Sequence, residues 1–257
     1  MNKLFINYFV TLMVMLGTSF GALANTIDHI IKTKELDLCA HPHQMPFSKE
    51  DRSSNSALGF QIDVARALAD KLDVTLNVSW VMSKRNVKKT DCDFYAGVAK
   101  LPGRESKYVK ISDAYYRMTF VVATLTSTPV IENIQQLKNL TVGVSPGSVA
   151  SRALQANKIG KAVRFPNEHS RLQALYDGKI DAAVVTSLSA NWFAKEKAIK
   201  LHLNDAESVL EITTNYDYAL GLRKADDKTL STFNTLLQQM TVDGTLRQLF
   251  KKYGVQL

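Results

Sequence analysis

A single arginine, Arg104, sits on a Leu-Pro-Gly-Arg-Glu loop just beyond the apolar segment "CDFYAGVA". A guanidinium stays charged and offers a planar fork of N–H donors that matches both oxygens of a carboxylate. A fixed arginine at such a place suits capture of an acid group; a solvated loop arginine beside Gly103 and Glu105 is the other reading. Ser148 opens "GSVASRALQAN", where a hydroxyl caps the free N–H groups of a helix start, a position that also attracts anions. His41 and His43 flank Pro42 after the first apolar segment. They read either as surface residues or as lining of a cleft at strand ends, and Arg85, beyond Trp80, has the same two readings.

Catalytic constellations are missing. A hydrolase needs a nucleophile beside a base and an oxyanion site, and the chain contains no Gly-x-Ser-x-Gly, no His-Glu-x-x-His and no glycine-rich phosphate loop. A binding protein without a cofactor is therefore expected, not an enzyme. Cys39 and Cys92 are the two cysteines, and neither has a thiol or histidine at metal-ligand spacing. They form either a disulfide, closing a loop of about 53 residues worth roughly 4 kcal/mol, or two buried thiols in adjacent strands.

Residues 1–24 run from a lysine through an apolar stretch to Ala22-Leu23-Ala24, the pattern of a cleaved signal peptide. Periplasmic secretion and an oxidising compartment are expected. Losing Lys3 from the 32 basic residues leaves 31 against 24 acidic ones, a formal +7. The basic residues are spread along the chain without an aromatic-interleaved block, so a moderately cationic surface is expected and nucleic acid is not.

Short apolar strands alternate with amphipathic helices throughout, the pattern of an α/β fold with mostly parallel sheets. "ELDLCA", "TLNVSWV" and "DFYAGVA" read as strands, and "GFQIDVARALADKL" as a helix with Ile62, Ala65, Ala69 and Leu72 on one face. A second series follows: "TVGVS", the helix at Ser148, "AVRFP", "HSRLQALYDGK" and "IDAAVVT". The end of the chain reads as a strand and two helices separated at Val242-Asp243-Gly244. Two series suggest two lobes.

Seven segments in order resemble the bacterial extracellular solute-binding proteins of family 3, receptors of polar amino-acid ABC transporters. They are Pro46-Phe47, "GFQIDVARALADKL", "CDFYAGVAKLPGR", "ISDAYYR", "GVSPGS", "GKIDAAVVT" and "VDGTLRQLFKKYG". The resemblance implies a two-lobe, type II periplasmic-binding fold hinged on two crossing strands. Residues 25–118 and 217–257 would form lobe 1 and 119–216 lobe 2. A small carboxylate-bearing solute, amino acid or organic acid, would be trapped between the lobes and passed to an ABC permease in the inner membrane. Arg104 would hold its carboxylate and Ser148 would face it from lobe 2. Three departures stand out: the family's hydroxyl-bearing residues before the arginine are Ala99 and Leu101, and the aspartate that takes the ligand's ammonium is Thr186. Without that charge, with His41, His43, Lys100 and Arg104 around the cleft, anions would be favoured over ordinary zwitterions. "CAHPHQMPFS" and "YYR" also resemble proteins associated with quinoprotein alcohol dehydrogenases, which implies an accessory binding role as one alternative. A cyclohexadienyl-dehydratase-like enzyme, with Glu168 or Asp113 as its acid, is another.

Overall fold

The computed structural model describes residues 26–82, 89–101, 108–159 and 161–255. The leader, Arg85 and Arg104 lie outside these residues. After helix α1 (Ile27–Thr33), strand β1 (Glu35–Ala40) leads to a small sheet of β2 (His43–Gln44), β3 (Ser48–Asp51) and β4 (Ser56–Leu58), then α2 (Phe60–Leu72) and β5 (Thr75–Trp80). Next come β6 (Phe94–Lys100) and β7 (Val109–Met118). These strands, with the late β13 (Tyr216–Arg223), form a five-stranded sheet of order β5-β1-β6-β13-β7. It is parallel at β1, β5 and β6 and antiparallel where β13 meets β6 and β7.

The second sheet has the order β10-β9-β11-β8-β12. Its strands are β8 (Phe120–Leu125), β9 (Thr141–Val144), β10 (Lys161–Arg164), β11 (Ala182–Thr186) and β12 (Leu201–Asp205). Helices α3 (Val149–Ala156), α4 (Glu168–Tyr176), α5 (Ser187–Lys197) and α6 (Ala206–Leu210) accompany them. Composition explains the order. β11, Ala-Ala-Val-Val-Thr, is buried along its whole length, as a central strand covered on both faces should be. Lys161–Arg164 is exposed throughout and takes the edge.

Helices α7 (Asp227–Val242) and α8 (Thr245–Lys252) close the first lobe against α2. On α2, Ile62, Ala65, Leu68 and Ala69 are buried as the 3.6-residue spacing requires. Its N-cap, Gly59, has φ +119°, and a Cβ there would lie 2.5 Å from the Phe47 carbonyl oxygen, so only glycine fits. Cys39 and Cys92 are bonded, joining the end of β1 to the approach of β6 with 5.6 Å between Cα atoms.

The chain passes from the first sheet to the second at Thr119, between β7 and β8, and returns at 211–215, between α6 and β13. Asn215 Oδ1 accepts from Phe120 N at 2.8 Å, so the two crossings are tied to each other. Thr119 also fixes the start of α5: its Oγ1 donates to Ser187 Oγ at 2.7 Å and its carbonyl accepts from Ser187 N at 2.9 Å. Leu188 is buried in the first lobe's core although α5 follows the second lobe's central strand.

Candidate functional site

Two hollows meet where the carboxyl ends of the second lobe's strands approach the first lobe, the place where open α/β sheets bind ligands. One, of about 230 Å³, lies between the His43–Phe47 loop and residues Ser145, Asn167, Glu168 and His169. The other, of about 440 Å³, runs toward the second crossing between Leu101, Phe120 and Tyr216 on one side and Ser148, Val149 and Arg171 on the other. Ser145 belongs to both.

Glu168 is the first residue of α4, and Asn167 caps that helix by accepting from Ser170 N at 2.8 Å. Its carboxylate is held at a defined place. Oε1 accepts from Thr186 N at 3.0 Å and Oε2 from Thr186 Oγ1 at 2.6 Å. Thr186 in turn caps α5, accepting from Ser189 N at 3.3 Å. The absence of an acidic side chain at 186 therefore does not empty the cleft of negative charge, because a carboxylate 18 residues earlier is brought to the same spot. Its field reaches across the gap. Tyr216 is pushed up to about 12 by burial and then by Glu168, and Tyr218 is raised by burial despite the hydrogen bond from Gln61.

Arg171, one turn along α4, is 1% exposed. Its Nη1 donates to the Val184 carbonyl and its Nη2 to Ser145 Oγ at 2.5 Å. The stem lies flat on β9 because residue 143 is glycine: a Cβ there would sit 2.7 Å from Arg171 Cγ. Burial lowers the Arg171 pKa and the Glu168 charge partly restores it. An arginine is charged in any protein environment, so this is a buried cation at the cavity wall.

The remaining residues singled out in the sequence separate into two groups. Ser148 caps α3, accepting from Ser151 N at 3.1 Å and donating to the Ser145 carbonyl at 2.9 Å. Its hydroxyl proton is thus engaged, and the groups α3 offers to an anion are the first-turn N–H groups of Val149 and Ala150, which have no intrahelical acceptor. Leu101 lines the larger hollow. Ala99 is half-buried in β6, paired with Tyr218 in β13. His43 lines the smaller hollow, whereas the ring of His41 accepts from His43 N at 3.1 Å. Burial and the neighbouring His43 lower the His41 pKa. Lys100 points away from the cleft, its Nζ 3.7 Å from Asp113 on the outer face, and Asp113 is exposed and bonded through its N–H to Asn234. Neither belongs to the site.

Gly97 keeps the first-lobe wall in place. A Cβ there would overlap the Tyr218 hydroxyl at 1.8 Å, the same hydroxyl that accepts from Gln61 Nε2 at 2.6 Å. Phe47 packs beside Tyr218, with ring centroids 6.4 Å apart. Tyr115 is core, donating to the Ala96 carbonyl, and Tyr116 packs on Phe250 in a tilted pair with ring centroids 4.3 Å apart. A larger hollow of about 720 Å³ lies outside the cleft, between β7 and α7, and is walled by the first lobe alone. Among the described residues no group of His, Cys, Asp and Glu could hold a metal ion, and no helix is long and apolar enough to cross a membrane.

Glu168 and Arg171 are absent from the sequence-based choice of ligand residues. The signal that could have found them is their spacing: both lie in "NEHSRLQALYDGK", at the first and fourth positions of a helix that starts at a strand's carboxyl end.

The fold has known counterparts. The lysine/arginine/ornithine-binding periplasmic protein of Escherichia coli (strain K12) is 26% identical over 220 residues, covering 81% of this chain and 83% of that protein. The arginine-binding extracellular protein ArtP of Bacillus subtilis (strain 168) is 24% identical over 230 residues, covering 86% of each. Among solved structures, an ancestral cationic amino acid solute binding protein, AncCDT-1, superposes with a TM-score of 0.75 at 26% identity, covering 89% of this chain and 99% of that one. Residues 36–256 match the family described as bacterial extracellular solute-binding proteins, family 3, and the chain belongs to that family.

Proposed function

We propose that the protein is a periplasmic receptor that closes around a single small amino acid and presents it to an ABC permease. The observation that carries this reading is the Glu168 carboxylate, held at the cleft wall by both the N–H and the hydroxyl of Thr186. A carboxylate fixed in that way is a ready counter-ion for an ammonium group, and closure expels water and strengthens the contact. The ligand's α-carboxylate then takes the free N–H groups at the start of α3, which is favourable both for hydrogen bonding and for the helix dipole. Arg104 supplies a further guanidinium in this reading, from a loop outside the described residues. Relatives named for amino acids support the ligand class, and export after cleavage of residues 1–24 accords with relatives named as periplasmic and extracellular. Closure is a hinge motion about the tied crossings at Thr119 and Asn215, with the ligand stabilising the closed form through contacts to both lobes.

The test is a thermal-shift screen of ligand-stripped protein against the L-amino acids, dicarboxylates and 2-oxo acids. One amino-acid class should raise the melting temperature through the mass-action term for a ligand that binds only the folded state. A response to 2-oxo acids equal to that of their amino counterparts would contradict the reading.

A further inference from the structure

Arg171 is a buried cation with no carboxylate within ion-pair distance among the described residues, although the charge of Glu168, one turn earlier on the same helix, acts on it. Each of its two amino groups gives one N–H, to a carbonyl and to a hydroxyl, which leaves a second N–H on each, and its Nε has no hydrogen-bond partner among those residues. A charge removed from water without a counter-charge is strongly penalised, and folds normally pair or neutralise it. Here the guanidinium stands at the wall of the 440 Å³ cavity, whose other surfaces are largely Leu101, Phe120, Val149 and Val184. Ser145 Oγ accepts from Arg171, which leaves its own proton to donate into the hollow. The site is thus a guanidinium and a hydroxyl set in an apolar wall, beside the N-terminus of α3.

Charge counting then limits the solute. Among the described residues the two hollows contain one carboxylate, Glu168, and one guanidinium, Arg171, and the adjoining hollow of about 600 Å³ beyond His43 and His169 adds Lys49, Glu196 and Lys252 on the side away from Arg171. A cationic side chain entering the 440 Å³ cavity would meet Arg171, the one charged group in its lining among the described residues. A neutral amino acid would satisfy Glu168 and leave Arg171 unpaired. From this we infer that the solute is an amino acid with a second acid group, an aminodicarboxylate, and that Arg171 and Ser145 receive that group. The inference rests on the amino-acid reading above, with the ammonium on Glu168 and the α-carboxylate on the start of α3.

Isothermal titration of ligand-stripped protein with L-glutamate, L-aspartate, L-glutamine, L-lysine and glutarate tests it. One of the two acidic amino acids should bind at least about tenfold more tightly than L-glutamine, as expected for a hydrogen-bonded charge. Arg171→Met keeps the apolar stem and removes the cation. It should weaken the acid by about 10- to 100-fold and L-glutamine by less than about threefold, which erases the preference. Arg171→Lys should keep part of it, and the wild-type ratio of acid to amide decides the matter even where the Met variant does not fold. Tighter binding of L-glutamine or L-lysine than of either acid, or equal losses for acid and amide in Arg171→Met, would overturn the inference and leave the amino-acid reading standing. Glutarate binding as tightly as L-glutamate would instead overturn the amino-acid reading, and the aminodicarboxylate with it.

Discussion

Thr186 couples the second lobe's fold to its charge, so exchanging residues at 186 and 168 is an informative perturbation. Thr186→Val preserves shape but removes the donor 2.6 Å from Glu168 Oε2 and the acceptor that caps α5. Hydrogen bonds to charged groups are worth about 1.5–3 kcal/mol and an N-cap about 1 kcal/mol. A loss of about 3 kcal/mol is expected in urea unfolding, read at constant m-value. Thr186→Asp should be worse. It sets a second carboxylate against Glu168, and two like charges about 4 Å apart repel by about 4 kcal/mol at an effective dielectric of 20. The double variant Thr186→Asp with Glu168→Gln should recover most of that loss, because a glutamine amide can donate to the new aspartate and one negative charge remains. A double-mutant cycle on the Asp and Gln substitutions should therefore give a coupling of about 3 kcal/mol. Additive single effects would show that Glu168 and residue 186 do not share a site, and would refute the placement of the cleft's negative charge.

Two other perturbations address the walls of the cleft and the first lobe. Gly97→Ala should destabilise by about 3 kcal/mol in the same unfolding assay, because the new methyl displaces the buried Tyr218 hydroxyl from Gln61; a change below about 0.5 kcal/mol would contradict that close approach. Asp93 is raised from 3.8 to about 6, chiefly by burial, with the hydrogen bond from Asp37 N opposing. Its protonated form is favoured by folding, so the stability it contributes is present below pH about 4 and is lost as pH rises through about 6. Allowing for partial solvation, Asp93→Asn should gain about 2 kcal/mol on the wild type between pH 4 and pH 7; a difference independent of pH would refute it.

The α/β architecture was legible because its central strands are short apolar runs and its helices carry clear faces, as in Phe60–Leu72. The bonded state of Cys39 and Cys92 was one of two open readings, since a sequence separation of 53 says nothing of geometry. The reading gave no elements at 43–58 or 187–215. Strands of two to four residues such as His43–Gln44 show no periodicity, and α5 has no single apolar face because Leu188 packs on one lobe and Phe193 on the other. β7 was hidden for another reason: Val109–Met118 mixes exposed and buried residues irregularly around shifts in its register with β13. At the site, Ser148 and Leu101 could be read from local order because strand ends and helix starts bring them to the cleft. Glu168 was read only as the acid of an alternative enzyme, and its role beside Thr186 was not read, since that partner is reached through the pairing of β11 beside β9 and the start of α4. A residue-by-residue reading of position 186 sees an uncharged side chain and misses the carboxylate folded onto it.

The most direct measurement is the ratio of affinities for the best-binding amino acid and its 2-oxo counterpart, determined by titration calorimetry in wild-type protein and in Glu168→Gln. The wild type should favour the amino acid by about 10- to 100-fold, and the variant should bring the two ligands within about threefold of each other. An unchanged ratio in Glu168→Gln would contradict the central claim that this carboxylate receives the solute's ammonium group.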